Sequence, residues 1–136
     1  MTPLSQDALS IWQAGVRAVL PEELIVRFWD ETPALREELA QAERILVIGA
    51  GKAGGAMAAA LEKVLASDLA RVEGIVNVPE NAVRPLKKIR LHGARPAGSN
   101  HPTAEGVAGA EEMLRLVASA GPKDVAICLI SGGGSA

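Results

Sequence analysis

Residues 44–65 read RILVIGAGKAGGAMAAALEKVL, and their pattern decides the fold. Ile45, Leu46, Val47 and Ile48 form a short continuous apolar run stopped by Gly49, which is how a strand buried on both faces looks. Past Gly49-Ala50-Gly51-Lys52 the character changes from β-branched to Ala-rich. Residues 53–65 then place Met57, Leu61, Val64 and Leu65 on one helical stripe. Residues 74–79, GIVNVP, return to strand. Together these make a βαβ unit and so a parallel sheet. A membrane span is a poor reading of the same stretch, because Lys52 and the glycines interrupt it.

Upstream, Ala8, Ile11, Trp12, Val16 and Val19 recur at helical spacing within residues 5–20, with Asp7 early and Arg17 late to match the macrodipole. Pro21, Glu22 and Glu23 open a second helix whose apolar face holds Leu24, Ile25, Phe28 and Trp29, until Thr32-Pro33 interrupts it. A third short helix is expected over 34–43.

Downstream, residues 88–91 suggest a strand, and the Pro, Gly, Ser and Asn of residues 94–102 a loop. Residues 105–118 return to helix with Val107, Met113, Leu114, Leu116 and Val117, ended by Gly121-Pro122. Residues 124–130 form the next strand and deliver the chain into SGGGSA, 131–136.

The expected fold is α/β: a three-layer Rossmann-like parallel sheet with helices on both faces, preceded by N-terminal helices. Residues 1–43 are expected to be a cap or arm, and residues 44–136 the core. A strand ending in a glycine loop ordinarily feeds a crossover helix, so the core is expected to be truncated before a C-terminal domain.

The chain has 136 residues, 49% hydrophobic and 22% charged, enough for one domain with a real core. Two Trp, one Phe and no Tyr argue against aromatic stacking platforms. A formal net charge of -2 leaves no electrostatic footprint for nucleic acid or an acidic membrane surface, so a small substrate fits better. The single cysteine, Cys128, lies in an apolar strand, where a packed thiol is the simplest expectation. Residues 1–12 lack a basic segment followed by an apolar one, and a cytoplasmic location is expected.

Gly49, Gly51 and Gly54 satisfy G-x-G-x-x-G at a strand end and a helix opening, the context that fingerprint requires. Glycines there let the backbone turn tightly, and the N–H groups of the helix start can hold an anion. Lys52 opposes the macrodipole, with no acid nearby before Glu62, so the turn asks for an anion. The bland alternative is a tight turn with a lysine reaching to solvent.

A dinucleotide site would want an acid at the end of the second strand. Asn77-Val78-Pro79 stands there, with Glu80 just beyond. No Walker A sequence occurs.

Ser131, Gly132, Gly133, Gly134 and Ser135 follow the last strand, at the carboxyl end where open α/β sheets put their ligands. Three glycines can form a nest of N–H groups for phosphate, and two hydroxyls add donors; the alternative is a flexible turn. His101, in Asn100-His101-Pro102-Thr103, can orient a substrate or move a proton, although a lone loop histidine is more often a surface residue. Thr103 is the expected N-cap of the following helix. His92 has less to recommend it, and Arg84, Lys87, Lys88 and Arg90 read as a solvated basic edge. No metal-ligand spacing, paired carboxylates or G-x-S-x-G elbow stands out.

Taken together, ILVIGAGKAGGAMAAA at 45–60, the His101-Pro102 loop and LISGGGSA at 129–136 resemble the N-terminal domain of the class II glycerate kinases, in order and spacing. The resemblance implies ATP-dependent phosphorylation of D-glycerate at its 2-hydroxyl, with Mg²⁺, between this Rossmann-like domain and a second, C-terminal domain. It implies Lys52 as the active-site lysine and residues 131–135 as a loop for phosphate or glycerate. The sequence departs from the family at residues 101–105, HPTAE, where Ala104 replaces the usual Pro and Glu105 the usual Asp; Glu105 is not assigned to catalysis. Two other functions compete: an NAD(P)H-dependent hydroxypyruvate reductase, and a non-catalytic anion-binding or assembly module. Expected partners are glycerate, ATP and the C-terminal domain, with a homodimer left open.

Overall fold

The computed structural model describes residues 2–132. Three helices come first: α1 (Pro3–Ala18), α2 (Pro21–Glu31) and α3 (Pro33–Gln41). Each opens on a proline, whose missing N–H costs nothing in a first turn. Then follow β1 (Ile45–Ala50), α4 (Gly54–Val64), β2 (Val72–Pro79), β3 (Ile89–Arg95), α5 (Ala104–Ala118) and β4 (Val125–Ile130), with short 3₁₀ turns at Ala66–Arg71 and Glu80–Ala82. Every expected helix and strand is present.

The four strands form one parallel sheet in the order β3-β2-β1-β4. β1 pairs with β2 on one side and β4 on the other, and Ile45, Leu46 and Val47 are fully buried, as the continuous apolar run anticipated. α4 covers one face, where a Cβ at Gly54 would press on Val76 and Val78. α5 covers the other, where Gly109 lies against Asn77 and His92. Alternation along β2 is why these contacts fall on opposite faces.

Glu62, on α4, is the buried charged side chain among the described residues. Its carboxylate accepts the backbone N–H groups of Lys87, Lys88 and Ile89 at 2.9, 2.6 and 2.9 Å, clamping the entry to β3 onto α4. At the opposite edge of the sheet, where β4 begins, Asp124 is held by the Arg44 guanidinium at 2.7 Å and by the Gly121 N–H at 2.8 Å. The Arg44 hydrogen bond, then the Gly121 amide, keep its carboxyl below the ordinary aspartate range.

Two expectations change. Cys128 is exposed rather than packed. It lies on edge strand β4, whose Ala126, Cys128 and Ile130 face out of the sheet where α5 does not reach. The region assigned to loop also begins later, because β3 runs on to Arg95, with a bulge that pairs Val78 with Gly93 and Pro79 with Arg95 and so leaves Ala94 over. α1 buries no residue; Ile11, Trp12 and Val19 are exposed. α2 carries Trp29 onto the core, and α3 carries Leu35 and the buried Leu39.

Candidate functional site

The carboxyl ends of all four strands open into one cleft of about 530 Å³. Its lining includes Gly51, Lys52, Asn77, Arg95, Asn100, His101, Thr103, Ser131 and Gly132. Lys52, His101 and Ser131, each at least 30 positions from the next in sequence, thus meet over the sheet, where open α/β folds hold ligands.

The three fingerprint glycines divide their work. Gly51 is the turn residue, at φ +128°, and a Cβ there would lie 2.3 Å from the Ser131 carbonyl oxygen. Gly49 lets β1 approach β4, since a Cβ would meet the Leu129 carbonyl oxygen at 2.2 Å. Gly54 lets α4 settle on β2. Of the three, only Gly51 lines the cleft.

The loop after β4 is joined to the turn after β1. Ser131 donates its N–H to the Ala50 carbonyl at 3.1 Å, and its Oγ accepts the Ala53 N–H at 3.0 Å. Ala53, at the N-cap position of α4, has no side-chain oxygen of its own, so Ser131 supplies the cap from a distant strand. The serine expected only as a ligand donor is therefore also a brace. Gly133, Gly134 and Ser135 lie outside the described residues.

The opposite wall is the segment from Arg95 to Thr103. Thr103 caps α5 as expected: its Oγ1 accepts the Gly106 N–H at 2.9 Å and donates to the Ala94 carbonyl. Ser99 Oγ accepts the His101 N–H at 3.2 Å. The Arg95 Nη1 donates to the Ser99 carbonyl and to Asn100 Oδ1. These contacts hold His101 at the cleft's rim, exposed.

Arg95 and Asn100 were missed from the sequence. Proline and glycine give residues 94–102 the pattern of a loop, and the one local signal is an arginine with no acid close by in sequence.

No carboxylate lines the cleft among the described residues, whereas Lys52 and Arg95 both do. The surface is locally cationic in a chain of net charge -2. Glu105 sits exposed in the first turn of α5, outside the lining. His92 is turned away from the cleft, with Nε2 bonded to the Glu105 carbonyl at 2.8 Å and Nδ1 3.3 Å from Arg90. Asn77 spends its amide nitrogen on the Gly106 carbonyl at 3.0 Å, and its Oδ1 is buried against Gly109.

Among the described residues no group of three His, Cys, Asp or Glu side chains is placed to hold a metal ion. No helix among them is long and apolar enough to cross a membrane.

Fold and cleft together define a Rossmann-like α/β domain with a positive pocket at its strand ends. The chain belongs to the family described as "Domain of unknown function (DUF4147)", a domain of the glycerate kinase family, whose model matches residues 7–136. A putative hydroxypyruvate reductase of Agrobacterium vitis is 42% identical over 68% of this chain and 23% of its own length. The glycerate kinase of Danio rerio is 28% identical over 100% of this chain and 30% of its own, and that of Homo sapiens 27% over 98% and 28%. The chain thus spans about a quarter of the length of the curated relatives it matches. No solved structure matches it.

Proposed function

We propose that this domain is one wall of the active site of a glycerate 2-kinase, which transfers the terminal phosphoryl group of ATP to the 2-hydroxyl of D-glycerate. The observation that carries the reading is the strand-end cleft lined by Lys52, Arg95 and His101 with no carboxylate among the described residues, since both substrates are anions. Phosphoryl transfer depends mainly on positioning and on stabilising negative charge, which is what such a lining supplies. In this mechanism the hydroxyl oxygen attacks the terminal phosphorus, the bond to ADP breaks, and His101 takes the hydroxyl proton. Lys52 neutralises the phosphoryl group in flight. Lys52 and the Ser131–Gly132 segment hold the phosphates, since the Gly51, Ala53 and Gly54 N–H groups are already bonded to the Asn77 carbonyl, Ser131 Oγ and the Gly51 carbonyl. The described lining has no carboxylate for Mg²⁺. The remaining wall is assigned to a C-terminal domain, residues 1–43 to an arm, and the location to the cytoplasm.

A coupled assay on the complete polypeptide tests the reading: ADP must form only when D-glycerate and Mg²⁺ are present. Lys52→Ala should lower turnover by about 10²–10³-fold, the effect of removing one transition-state charge contact, with circular dichroism unchanged. A wild-type protein that forms no glycerate-dependent ADP would sink the kinase; a fully active Lys52→Ala protein would sink the role of the lysine.

The second reading, an NAD(P)H-dependent hydroxypyruvate reductase, draws on the names of the Agrobacterium relatives and on the glycine fingerprint. Against it stands the end of β2, where the Asn77 side chain is committed to α5 and Glu80 lies outside the cleft lining. Tight NADH or NADPH binding lost on Gly51→Val, with no response to ATP, would favour the reductase. A non-catalytic module would keep its partner after Lys52→Ala.

A further inference from the structure

Among the described residues, the half-buried arginines Arg44 and Arg71 each have a carboxylate partner, and Arg36 is spent on the carbonyls that end α2. Arg95 is half-buried too, has no acid partner among the described residues, and lines the cleft. Both of its hydrogen bonds leave from one nitrogen, Nη1, to the Ser99 carbonyl and Asn100 Oδ1. That tether fixes the guanidinium plane and leaves the Nε–Nη2 edge, two parallel donors whose spacing matches the two oxygens of a carboxylate.

The location separates this cation from Lys52. Lys52 follows β1, Arg95 ends β3, and β2 lies between them. At about 4.8 Å per strand the two backbones stand about 10 Å apart. Such spacing suits a ligand, or a pair of ligands in line, with two separate anionic ends. The Lys52 side offers a phosphate a point-charge ammonium group beside a positive-φ glycine turn and the Ser131–Gly132 segment. The Arg95 side has a planar fork, an amide side chain and a histidine.

We propose that Arg95 is the specificity residue that reads the carboxylate of a three-carbon hydroxy or keto acid, with Asn100 as the positioning residue that holds its fork. This rests on reading the cleft as a hydroxy-acid site, and it applies equally to glycerate and to hydroxypyruvate.

The test uses the complete polypeptide and titration calorimetry with D-glycerate, hydroxypyruvate, glycerol and ATP. Arg95→Gln should weaken both acids by about ten- to a hundredfold, the worth of a charge-assisted bidentate contact, and leave ATP affinity within about twofold. Arg95→Lys, a single-point donor, should fall between. Asn100→Ala keeps the guanidinium and should weaken the acids less than Arg95→Gln does. Glycerol, which keeps the 2-hydroxyl but lacks the carboxylate, should not distinguish the variants.

The proposal is overturned if wild type binds neither acid, if Arg95→Gln leaves both affinities unchanged, if it weakens ATP as much as the acids, or if Asn100→Ala reproduces its full effect. Failure of the kinase is a separate result. Acid binding that depends on Arg95 without ADP formation rejects the kinase and keeps this site, whereas ADP formation indifferent to Arg95 does the reverse.

Discussion

Replacing Glu62 should be the most damaging single change outside the apolar core. The residue is 7% exposed, and its carboxylate accepts three successive N–H groups from the segment that enters β3. In Glu62→Ala the Lys87 and Lys88 amides, on an exposed segment, can turn to water, which forfeits about 1 kcal/mol each. The Ile89 amide is buried and cannot, so its desolvation adds about 1–3 kcal/mol. The sum, about 3–5 kcal/mol, is a large part of the ~5–15 kcal/mol by which a domain is stable. Glu62→Gln keeps the oxygen that serves Lys88 and Ile89 and sets an amide N–H against that of Lys87, so about 1–2 kcal/mol should be lost. Urea unfolding of wild type and both variants, compared at equal m-values, measures these differences. A Glu62→Ala protein within about 0.5 kcal/mol of wild type, the range of an ordinary surface change, would refute the clamp.

Two glycines in helix interiors should respond oppositely to alanine. Gly15→Ala in α1 meets nothing within 4 Å and should stabilise by about 0.5–1 kcal/mol. A Cβ at Gly109 would lie 2.0 Å from Asn77 Oδ1 and 2.6 Å from His92, so Gly109→Ala should destabilise by about 1–3 kcal/mol despite the better helix former, and thermal unfolding will read both signs. Ser131→Ala removes the cap of Ala53 and should cost about 0.5–2 kcal/mol by denaturant titration. Because Asp124 is depressed in the folded state, its stabilising effect is complete above the unfolded aspartate value of about 3.9 and is lost as pH falls through the lower folded value. Asp68, held by Arg71, and Glu112, held by Arg90, act in the same direction. Acid unfolding of Asp124→Asn should therefore depend less steeply on pH below about 4 than that of wild type; parallel curves would remove the Arg44–Asp124 contact from the acid response.

Local pattern was enough for the elements and for half of the cleft. Ile45 to Ile48 read as a doubly covered strand because β-branched residues without alternation have few other stable homes, and Thr103 read as a cap because a hydroxyl just before a helix has an orphan N–H to serve. Gly51 and Lys52 were legible because a turn between a buried strand and a helix restricts which residues fit. Neighbours along the chain decide all of these.

What needed the tertiary structure was each feature set by residues far apart in the chain. Ser131 caps α4 across 78 positions, and Gly49 is small because Leu129 lies beside it, a consequence of strand order rather than of any local signal. Cys128 sits in an apolar run, and its exposure depends on β4 being the strand that α5 does not cover. Arg95 joins the site through a bulge and a loop that fold back over the sheet. The sequence by itself thus determined the strands and helices and the glycine turn that carries Lys52. Only the folding of β3 and β4 to either side of the β1–β2 pair decided which other side chains share that cleft, because periodicity records the face a residue takes and not the partner it meets.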